Sequence, residues 1–191
     1  NLVRFAFQKR KTKLIFSSSA AIYGKVSSGK ISEKYVCRPA NYYGLSKLAC
    51  ENIINNELKK KKNNYAILRY FNVVGSIMDF KIKKKIYSLF DIISKNISQK
   101  KYRININGRN LDTKDGTPER DFIHISDLCE IHEKTCKHLE KNKKILINCG
   151  SGIRYSVLNV IRAFEKKTER KFRISYKITN INETRTICAN I

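Results

Sequence analysis

The sequence predicts an α/β fold built on a parallel sheet. Short apolar runs of strand length alternate with longer segments whose apolar residues recur at helical spacing, and this alternation is typical of parallel α/β units. The chain has 191 residues, of which 41% are hydrophobic. That composition is typical of a globular domain with a sizeable core. No internal repeat or long flexible linker interrupts the pattern.

The predicted elements follow one another in a regular order. Leu2, Phe5 and Ala6 recur at helical spacing and predict a helix before residue 12. The predicted strands are Lys13–Phe16, Tyr65–Phe71, Tyr102–Ile106, Ile145–Asn148 and Phe172–Ile178. The predicted helices are Tyr43–Lys60, Ile86–Ile97, a segment from its cap at Ser126 to about Leu139, and Ser156–Lys166. We expect the strands at 13–16, 65–70 and 145–148 to be neighbours in the core, because their apolar runs lie between helical segments.

Composition narrows the classes of function. The net charge of +24 suggests a polyanion as a partner. However, the lysines are spread over polar loops and helix ends without a regular aromatic array, so we do not expect nucleic acid as the primary partner. No apolar stretch is long enough to span a bilayer. The six cysteines include no C-x-x-C pair, which favours buried free thiols in a reducing, cytoplasmic compartment.

Two local patterns carry chemistry. The first strand ends in hydroxyl residues, Ser17 to Ser19, and ligands of open parallel sheets bind outside the carboxyl ends of the strands. Tyr43 and Lys47 then lie four residues apart at the start of a predicted helix, so both side chains point the same way. A nearby cation favours a phenolate and lowers the pKa of a tyrosine, which makes a general base without histidine or carboxylate.

Four blocks in order resemble a known family. They are Ser18 to Gly24 (SSAAIYG), Pro39 to Lys47 (PANYYGLSK), Leu68 to Asn72 (LRYFN) with Gly75, and Asp115 to His124 (DGTPERDFIH) with Asp127 and Leu128. Together they resemble the nucleotide-sugar epimerases of the extended short-chain dehydrogenase/reductase family. Within that family, the Ala20–Ala21 pair and the Arg-Tyr-Phe-Asn run favour the UDP-glucose 4-epimerase branch over the related 4,6-dehydratases.

The resemblance implies a fold, a cofactor and a reaction. The fold is a partial Rossmann-type parallel sheet with a smaller C-terminal substrate-binding part. Residues 1–75 correspond to the C-terminal half of the dinucleotide-binding domain, and residues 76–191 to an intertwined substrate-binding region. The implied reaction is NAD-dependent epimerisation of a UDP-sugar at C4, which interconverts UDP-glucose and UDP-galactose. A homodimer is also expected, since the family is often dimeric, and no metal is expected.

The resemblance also assigns roles to single residues. Tyr43 is implied as the base, Ser19 as the hydroxyl that bridges the substrate oxygen and the base, and Lys47 as the group that holds the nicotinamide ribose. We therefore expect these three residues to converge at the carboxyl end of the sheet, with the Tyr43 hydroxyl within hydrogen-bonding reach of Ser19. Ser19, Tyr43, Lys47 and Phe71 are the implied NAD contacts. Ser19, Tyr43, Asn72 and Arg120 are the implied substrate contacts. Arg120 offers a donor fork suited to phosphate, although an ion pair with Glu119 or Asp121 is the structural alternative. His124 is expected to order a loop and not to act in catalysis.

Four departures from the family pattern leave alternatives open. No glycine-rich pyrophosphate turn occurs, Val73 stands where a proline is usual, and Lys83 to Tyr87 replace a nucleotide-gripping segment. Near the C-terminus, Asn180 and Glu183 stand where the family has an arginine and an aspartate. The chain is therefore a piece of a functional epimerase, an inactive or split remnant, or a basic anion-binding module on the same scaffold.

Overall fold

A computed structural model describes residues 12–26, 29–59, 63–75, 88–141, 144–177 and 186–191. The predicted helix around Leu2 to Ala6 lies outside these ranges, as do the lysine segment at 83–87 and the positions Asn180 and Glu183. The departures from the family pattern at those positions therefore have no structural account.

Nine strands and four α-helices form within the described ranges. The strands are β1 (Leu14–Ser19), β2 (Tyr65–Tyr70), β3 (Asn72–Val74), β4 (Arg103–Asn107), β5 (Glu119–His124), β6 (Lys144–Cys149), β7 (Arg154–Ser156), β8 (Arg173–Lys177) and β9 (Thr186–Ile187). The helices are α1 (Tyr42–Lys59), α2 (Leu89–Ser98), α3 (Ile125–Lys141) and α4 (Val157–Thr168). A short 3-10 helix, Ala20–Tyr23, follows β1 directly.

The central sheet confirms the predicted α/β fold. Its strand order is β1-β2-β6 and both pairings are parallel, so the three strands predicted as neighbours are neighbours. The middle strand β2 is buried from Tyr65 to Arg69, as expected for a strand covered on both faces. Ile54 of α1 packs on one face of this sheet, and Leu128 and Leu139 of α3 pack on the other. Successive strand side chains point to opposite faces, and the two sets of contacts follow from this.

A second group of strands lies beyond the central sheet. Strand β5 pairs in parallel with β3 and β9 and antiparallel with β7. Strands β4 and β8 form a separate parallel pair. Their apolar side chains pack against helices α2 and α4 around Ile93, Ile104 and Ile161. Ser88 and Ser156 begin these two helices as capping residues, and each accepts a hydrogen bond from the backbone N–H three residues on.

Sequence reasoning missed the short strands and misplaced one helix start. Strands β3, β7 and β9 have only two or three residues, too few to show a period of two. Strand β5 was not predicted because its buried position 121 holds an aspartate, which interrupts the apolar alternation expected of a strand. Ser126 was predicted to cap a helix, but α3 begins at Ile125, so this prediction was wrong. The hydroxyl of Ser126 instead bonds the ring of His124.

The cysteines are free, as predicted, but most are not buried. Only Cys149 and Cys188 are buried, whereas Cys50, Cys129 and Cys136 are exposed. The prediction of burial was therefore wrong for those three. On α3 the reason is geometric: Leu128, Thr135 and Leu139 are the buried positions of that helix. Cys129 follows Leu128 and Cys136 follows Thr135. The two cysteines are therefore seven residues apart on one face of the helix, and this face points away from the sheet.

Candidate functional site

Lys47 links the serine strand to helix α1. Its ammonium Nζ lies 2.8 Å from the backbone carbonyl oxygen of Ser17 and donates a hydrogen bond to it. The same Nζ lies 5.2 Å from the ring centroid of Phe16 and 5.7 Å from that of Tyr43, both within cation–π range. The predicted Tyr43–Lys47 pair therefore forms on one face of α1 and lies against the carboxyl half of β1.

Ser19 ends β1 and is engaged locally. Its Oγ accepts a hydrogen bond from the backbone N–H of Ala21 at 3.2 Å and so caps the short 3-10 helix. Tyr43 is 56% exposed. Within the described part of the chain, no hydrogen bond joins the Tyr43 hydroxyl to Ser19, although we expected them to be within reach of each other. Lys47 thus contacts β1 near its end with the Tyr43 ring beside it, and the hydrogen bond between Tyr43 and Ser19 is not formed.

Phe71, Asn72 and Arg120 line a second feature, a pocket of about 500 Å³. The other walls of this pocket come from the start of α2, from residues 105–107 of β4 and from Pro118, Phe122 and Val157. Phe71 follows β2, and its N–H donates to the carbonyl of Cys149 at 3.0 Å. The sequence-predicted substrate residues Asn72 and Arg120 therefore come together. Ser19, Tyr43 and Lys47 are not among the residues that line this pocket.

Phe71 connects the two groups of candidate residues. Its side chain is buried in the same cluster as Ala20, the residue next to Ser19, while it also lines the pocket that contains Asn72. Phe71 therefore adjoins both the end of the serine strand and the pocket lined by Asn72 and Arg120.

Asp121 is a site residue that sequence reasoning did not single out. It is fully buried, and its carboxylate accepts hydrogen bonds from the N–H groups of Ser151, Gly152 and Ala189 at 2.7, 3.0 and 3.0 Å. These contacts fix the loop after β6 and the C-terminal segment beside β5, and so they fix the strand that carries Arg120. The sequence did contain a signal for this residue. Asp121 is a carboxylate at a buried strand position, and the Gly-Ser-Gly run at 150–152 offers backbone N–H groups after another strand.

Asn72 and Arg120 are held by backbone contacts. Asn72 donates from Nδ2 to the carbonyl of Asp121 at 3.0 Å. Arg120 donates from Nη1 to the carbonyl of Glu119 at 2.9 Å. The carboxylate of Asp121 accepts several N–H groups and so organises the loop.

His124 contacts its own loop, as we expected. Its Nδ1 lies 2.7 Å from the hydroxyl of Ser126 and accepts the N–H of Ser126 at 3.2 Å. The ring also packs on Gly75, where an added Cβ would lie 2.1 Å from Nε2. The positive φ of 91° at Gly75 also favours glycine. His124 therefore shapes the turn after β3 and the start of α3.

Among the described residues, no three His, Cys, Asp or Glu side chains come together as a set that could hold a metal ion. In that part of the chain, no helix is long and apolar enough to cross a membrane.

A parallel sheet whose first described strand ends in serines, beside a Tyr-x-x-x-Lys helix, points to the dinucleotide-dependent α/β class. The model of the NAD dependent epimerase/dehydratase family matches residues 1–150, and the chain belongs to that family. The UDP-glucose 4-epimerase of Bacillus subtilis strain 168 is 35% identical to it over 161 residues, covering 81% of this chain and 47% of the relative. That of Lactobacillus helveticus is 36% identical over 160 residues, covering 81% and 48%. The chain spans about half the length of the curated relatives it matches.

Solved structures agree with this family. The UDP-glucose 4-epimerase of Brucella ovis in complex with NAD matches with a TM-score of 0.89 at 27% identity, covering 99% of this chain and 59% of that one. The enzyme of Bifidobacterium longum in complex with NAD+ and UDP matches with a TM-score of 0.84 at 32% identity, covering 93% and 55%. The predicted fold and family are therefore confirmed.

Proposed function

We propose that this chain is the catalytic and substrate-binding part of an NAD-dependent epimerase that interconverts UDP-glucose and UDP-galactose at C4. The observation that carries the proposal is the contact of Lys47 with both the carbonyl of Ser17 and the ring of Tyr43. It brings a phenol and a fixed positive charge to the end of the serine strand. Membership of the epimerase/dehydratase family and the names of the relatives support the same reaction.

The residues present fit the nicotinamide half of the cofactor. Lys47 offers a partly exposed ammonium, and Tyr43 lies one helical turn before it. Phe71 lies after β2, where ligands of parallel sheets bind. NAD, when bound there, would supply the hydride acceptor and donor for the sugar carbon. Lys47 would hold the ribose hydroxyls, and the backbone of Phe71 would contact the nicotinamide.

The chain itself would manage the proton. In this mechanism Tyr43 begins as the phenolate, whose negative charge the ammonium of Lys47 stabilises. The Tyr43 oxygen accepts the proton of the C4 hydroxyl, is then neutral, and later returns the proton to the sugar oxygen. Ser19 donates a hydrogen bond from its hydroxyl to the same sugar oxygen and so keeps it near the base. The keto sugar must then present its other face before hydride returns, which requires an anchor elsewhere on the substrate.

The pocket lined by Asn72 and Arg120 would provide that anchor. Its volume of about 500 Å³ lies in the range of small-ligand sites. The guanidinium fork of Arg120 suits a phosphate, and the Asn72 amide adds a neutral donor. Holding the diphosphate there leaves the sugar free to rotate near Tyr43.

The test uses this chain joined to the N-terminal glycine-rich half of a related epimerase. Conversion of UDP-galactose to UDP-glucose is measured with Tyr43→Phe, Lys47→Ala and His124→Gln. Tyr43→Phe removes only a hydroxyl and should lower turnover by about 100- to 10,000-fold while leaving UDP-sugar binding largely intact. Lys47→Ala should weaken NAD binding as well as turnover. His124→Gln is the matched control and should have a much smaller effect.

Two outcomes of this experiment would contradict the proposal. If His124→Gln impaired turnover as much as Tyr43→Phe, the assignment of the base would be wrong. If the joined chain folded but had no activity, the chain would be an inactive remnant of the family. The division at residue 75, the homodimer and the cytoplasmic location remain predictions that accompany this proposal.

A further inference from the structure

A buried ion pair lies about two helical turns along α1 from the candidate base Tyr43. Glu51 of α1 and Arg69 of β2 are only 2% and 5% exposed. Two hydrogen bonds join them, from Nε to Oε1 at 3.1 Å and from Nη2 to Oε2 at 2.7 Å. This bidentate geometry fixes both side chains in orientation as well as in distance. Neither residue lines the pocket that contains Asn72 and Arg120, and the proposed chemistry does not use the pair directly.

The pair is joined to both candidate site strands. The hydroxyl of Ser18, the neighbour of Ser19, donates to Oε1 of Glu51 at 2.5 Å. Arg69 lies in β2 two residues before Phe71, and its Nη1 donates to the hydroxyl of Tyr23 at 2.8 Å. A single hydrogen-bonded unit therefore connects helix α1 with the ends of β1 and β2.

Additional contacts satisfy the rest of the unit. Arg69 Nη1 also donates to the carbonyl of Glu33 at 3.1 Å, and Tyr23 donates to the side chain of Asn148 at 2.6 Å. Burial alone lowers the pKa of Arg69, but the hydrogen bonds and charge of Glu51 and Tyr23 outweigh this and raise the pKa above its ordinary value. Arg69 is therefore charged throughout the physiological range.

Stability alone is a weak reason for such a pair. Removing two charges from water costs several kcal/mol per ion, and exchanging a buried pair for apolar residues is often neutral or stabilising. Helix α1, by contrast, has few buried apolar side chains along residues 42–57, the part of the helix whose side chains the structure describes. The buried positions there are Gly44, Glu51 and Ile54, and Leu48 packs partly buried against the cluster of Ala20 and Ile22, while Leu45 and Ile53 are each 54% exposed. Apolar contacts have no preferred direction, whereas the bidentate ion pair fixes orientation.

The spacing along α1 connects the pair to the site. Tyr43, Lys47 and Glu51 are four residues apart in succession, so they form one column with a rise of about 6 Å between members. We propose that Glu51 and Arg69 are positioning residues that fix the rotation and axial position of α1 against β1, and thereby place Tyr43 and Lys47 at the end of the serine strand. The catalytic meaning of this inference rests on the proposed function, but the placement itself does not.

The expected sensitivity follows from helix geometry. A side-chain tip lies about 5–6 Å from the axis, so a rotation of about 10° would move it by about 1 Å. A displacement of that size costs up to about 100-fold in rate where catalytic geometry matters. Glu51→Asp keeps the charge but shortens the side chain by one methylene, and it is therefore the sharpest variant.

The experiment uses the 191-residue chain without cofactor or sugar. An NMR cross-peak (NOE) between the Lys47 side chain and the ring of Phe16 reports the contact of 5.2 Å between α1 and β1. The NOE between Lys47 and the ring of Tyr43 lies within α1 and is the internal reference. Tyr43→Phe and Phe16→Tyr identify the two sets of ring signals. Glu51→Asp and Arg69→Lys should fold, keep the reference NOE and lose the NOE to Phe16. Glu57→Asp, the same change lower on the same helix, should keep both.

A double variant separates position from stability. Glu51→Leu with Arg69→Met replaces the pair by apolar side chains of similar size, and it should still fold while it loses the NOE between Lys47 and Phe16. Full intensity of that NOE in the double variant or in Glu51→Asp would overturn the proposal. Failure of both variants to fold would overturn it too, because the pair would then serve stability itself. None of these readouts depends on epimerase activity, so an inactive enzyme would count against the proposed function alone.

Discussion

At the scale of the residue, the loop before β5 depends on one carboxylate. Asp115 accepts hydrogen bonds from the hydroxyl of Ser156 at 2.5 Å and from the N–H and hydroxyl of Thr117 at 2.9 and 2.6 Å. Burial alone would raise the pKa of Asp115, but the hydrogen bonds from Ser156 and Thr117 lower it below its ordinary value. The ionised side chain thus joins the loop to the cap of α4.

We predict that Asp115→Asn destabilises the chain by about 1 kcal/mol at neutral pH, a value kept low because the side chain is only partly buried. The folded pKa is depressed, so this stabilisation is complete above the unfolded pKa of about 3.9 and is lost as pH falls through the folded pKa. Urea unfolding at several pH values should show the gap to the wild type closing in acid. Asp112→Asn, at an exposed position, is the control, and a gap that does not change with pH would contradict the account.

The cysteines provide a second prediction at this scale. Burial, and then the charge of Glu33, raise the pKa of Cys149 to about 12, and burial followed by the charge of Asp121 raises that of Cys188. The thiolate is the reactive form. Brief iodoacetamide treatment near pH 8, close to the ordinary thiol pKa of about 8.5, should label Cys50, Cys129 and Cys136 first. Mass spectrometry of the peptides identifies the sites. In urea all six should react, and early labelling of Cys149 in the native chain would disprove the burial.

At the scale of the element, long regular segments could be predicted and short or polar ones could not. Helix α1 was predicted to within one residue at each end, since its apolar spacing extends over five turns, and the β1, β2 and β6 runs are apolar enough to be recognised. Arg69 shows the limit. In a strand read as an apolar run, its charge carried no sign that Glu51, 18 residues earlier, would meet it. Contacts between residues that are distant in sequence depend on the tertiary fold and cannot be inferred from local spacing. The Tyr43–Lys47 pair was predictable because both residues lie four positions apart on one helix.

The start of α1 provides a prediction about close packing. Asn41 accepts the N–H of Gly44 at 2.8 Å, as an N-cap residue does. A Cβ at Gly44 would lie 2.5 Å from the carbonyl oxygen of Ala21, so the helix must move outward to accommodate it. Helix propensity alone would make Gly44→Ala stabilising by about 1 kcal/mol. We predict that it lowers the melting temperature instead. Asn52→Ala, at an exposed position of the same helix, should raise it slightly. A stabilised Gly44→Ala variant would show that the contact with Ala21 is loose.

At the scale of the whole molecule, the two groups of candidate residues lie in different parts of the fold. Lys47 and Tyr43 lie at the end of the central sheet, and Arg120 lies in the second group of strands beyond Phe71. A nucleotide sugar with a dinucleotide would have to span both. The high positive charge of +24 would favour the approach of such anionic molecules and would be screened by salt. Attraction of this kind brings a ligand near, whereas tight binding requires directed donors to its phosphates.

We therefore predict that the 191-residue chain alone binds NAD weakly. A glycine turn at a helix N-terminus is a principal anchor of the pyrophosphate, and no G-x-x-G-x-x-G spacing occurs among the eight glycines of this sequence. Tyr43, Lys47 and Phe71 could contact only the nicotinamide half. Calorimetric titration should give a dissociation constant well above about 1 µM, the value that corresponds to about 8 kcal/mol. The chain joined to a glycine-rich N-terminal half is the control and should bind more tightly. Micromolar binding by the chain alone, abolished by Lys47→Ala, would mean that the residues around Tyr43 anchor NAD without a glycine turn.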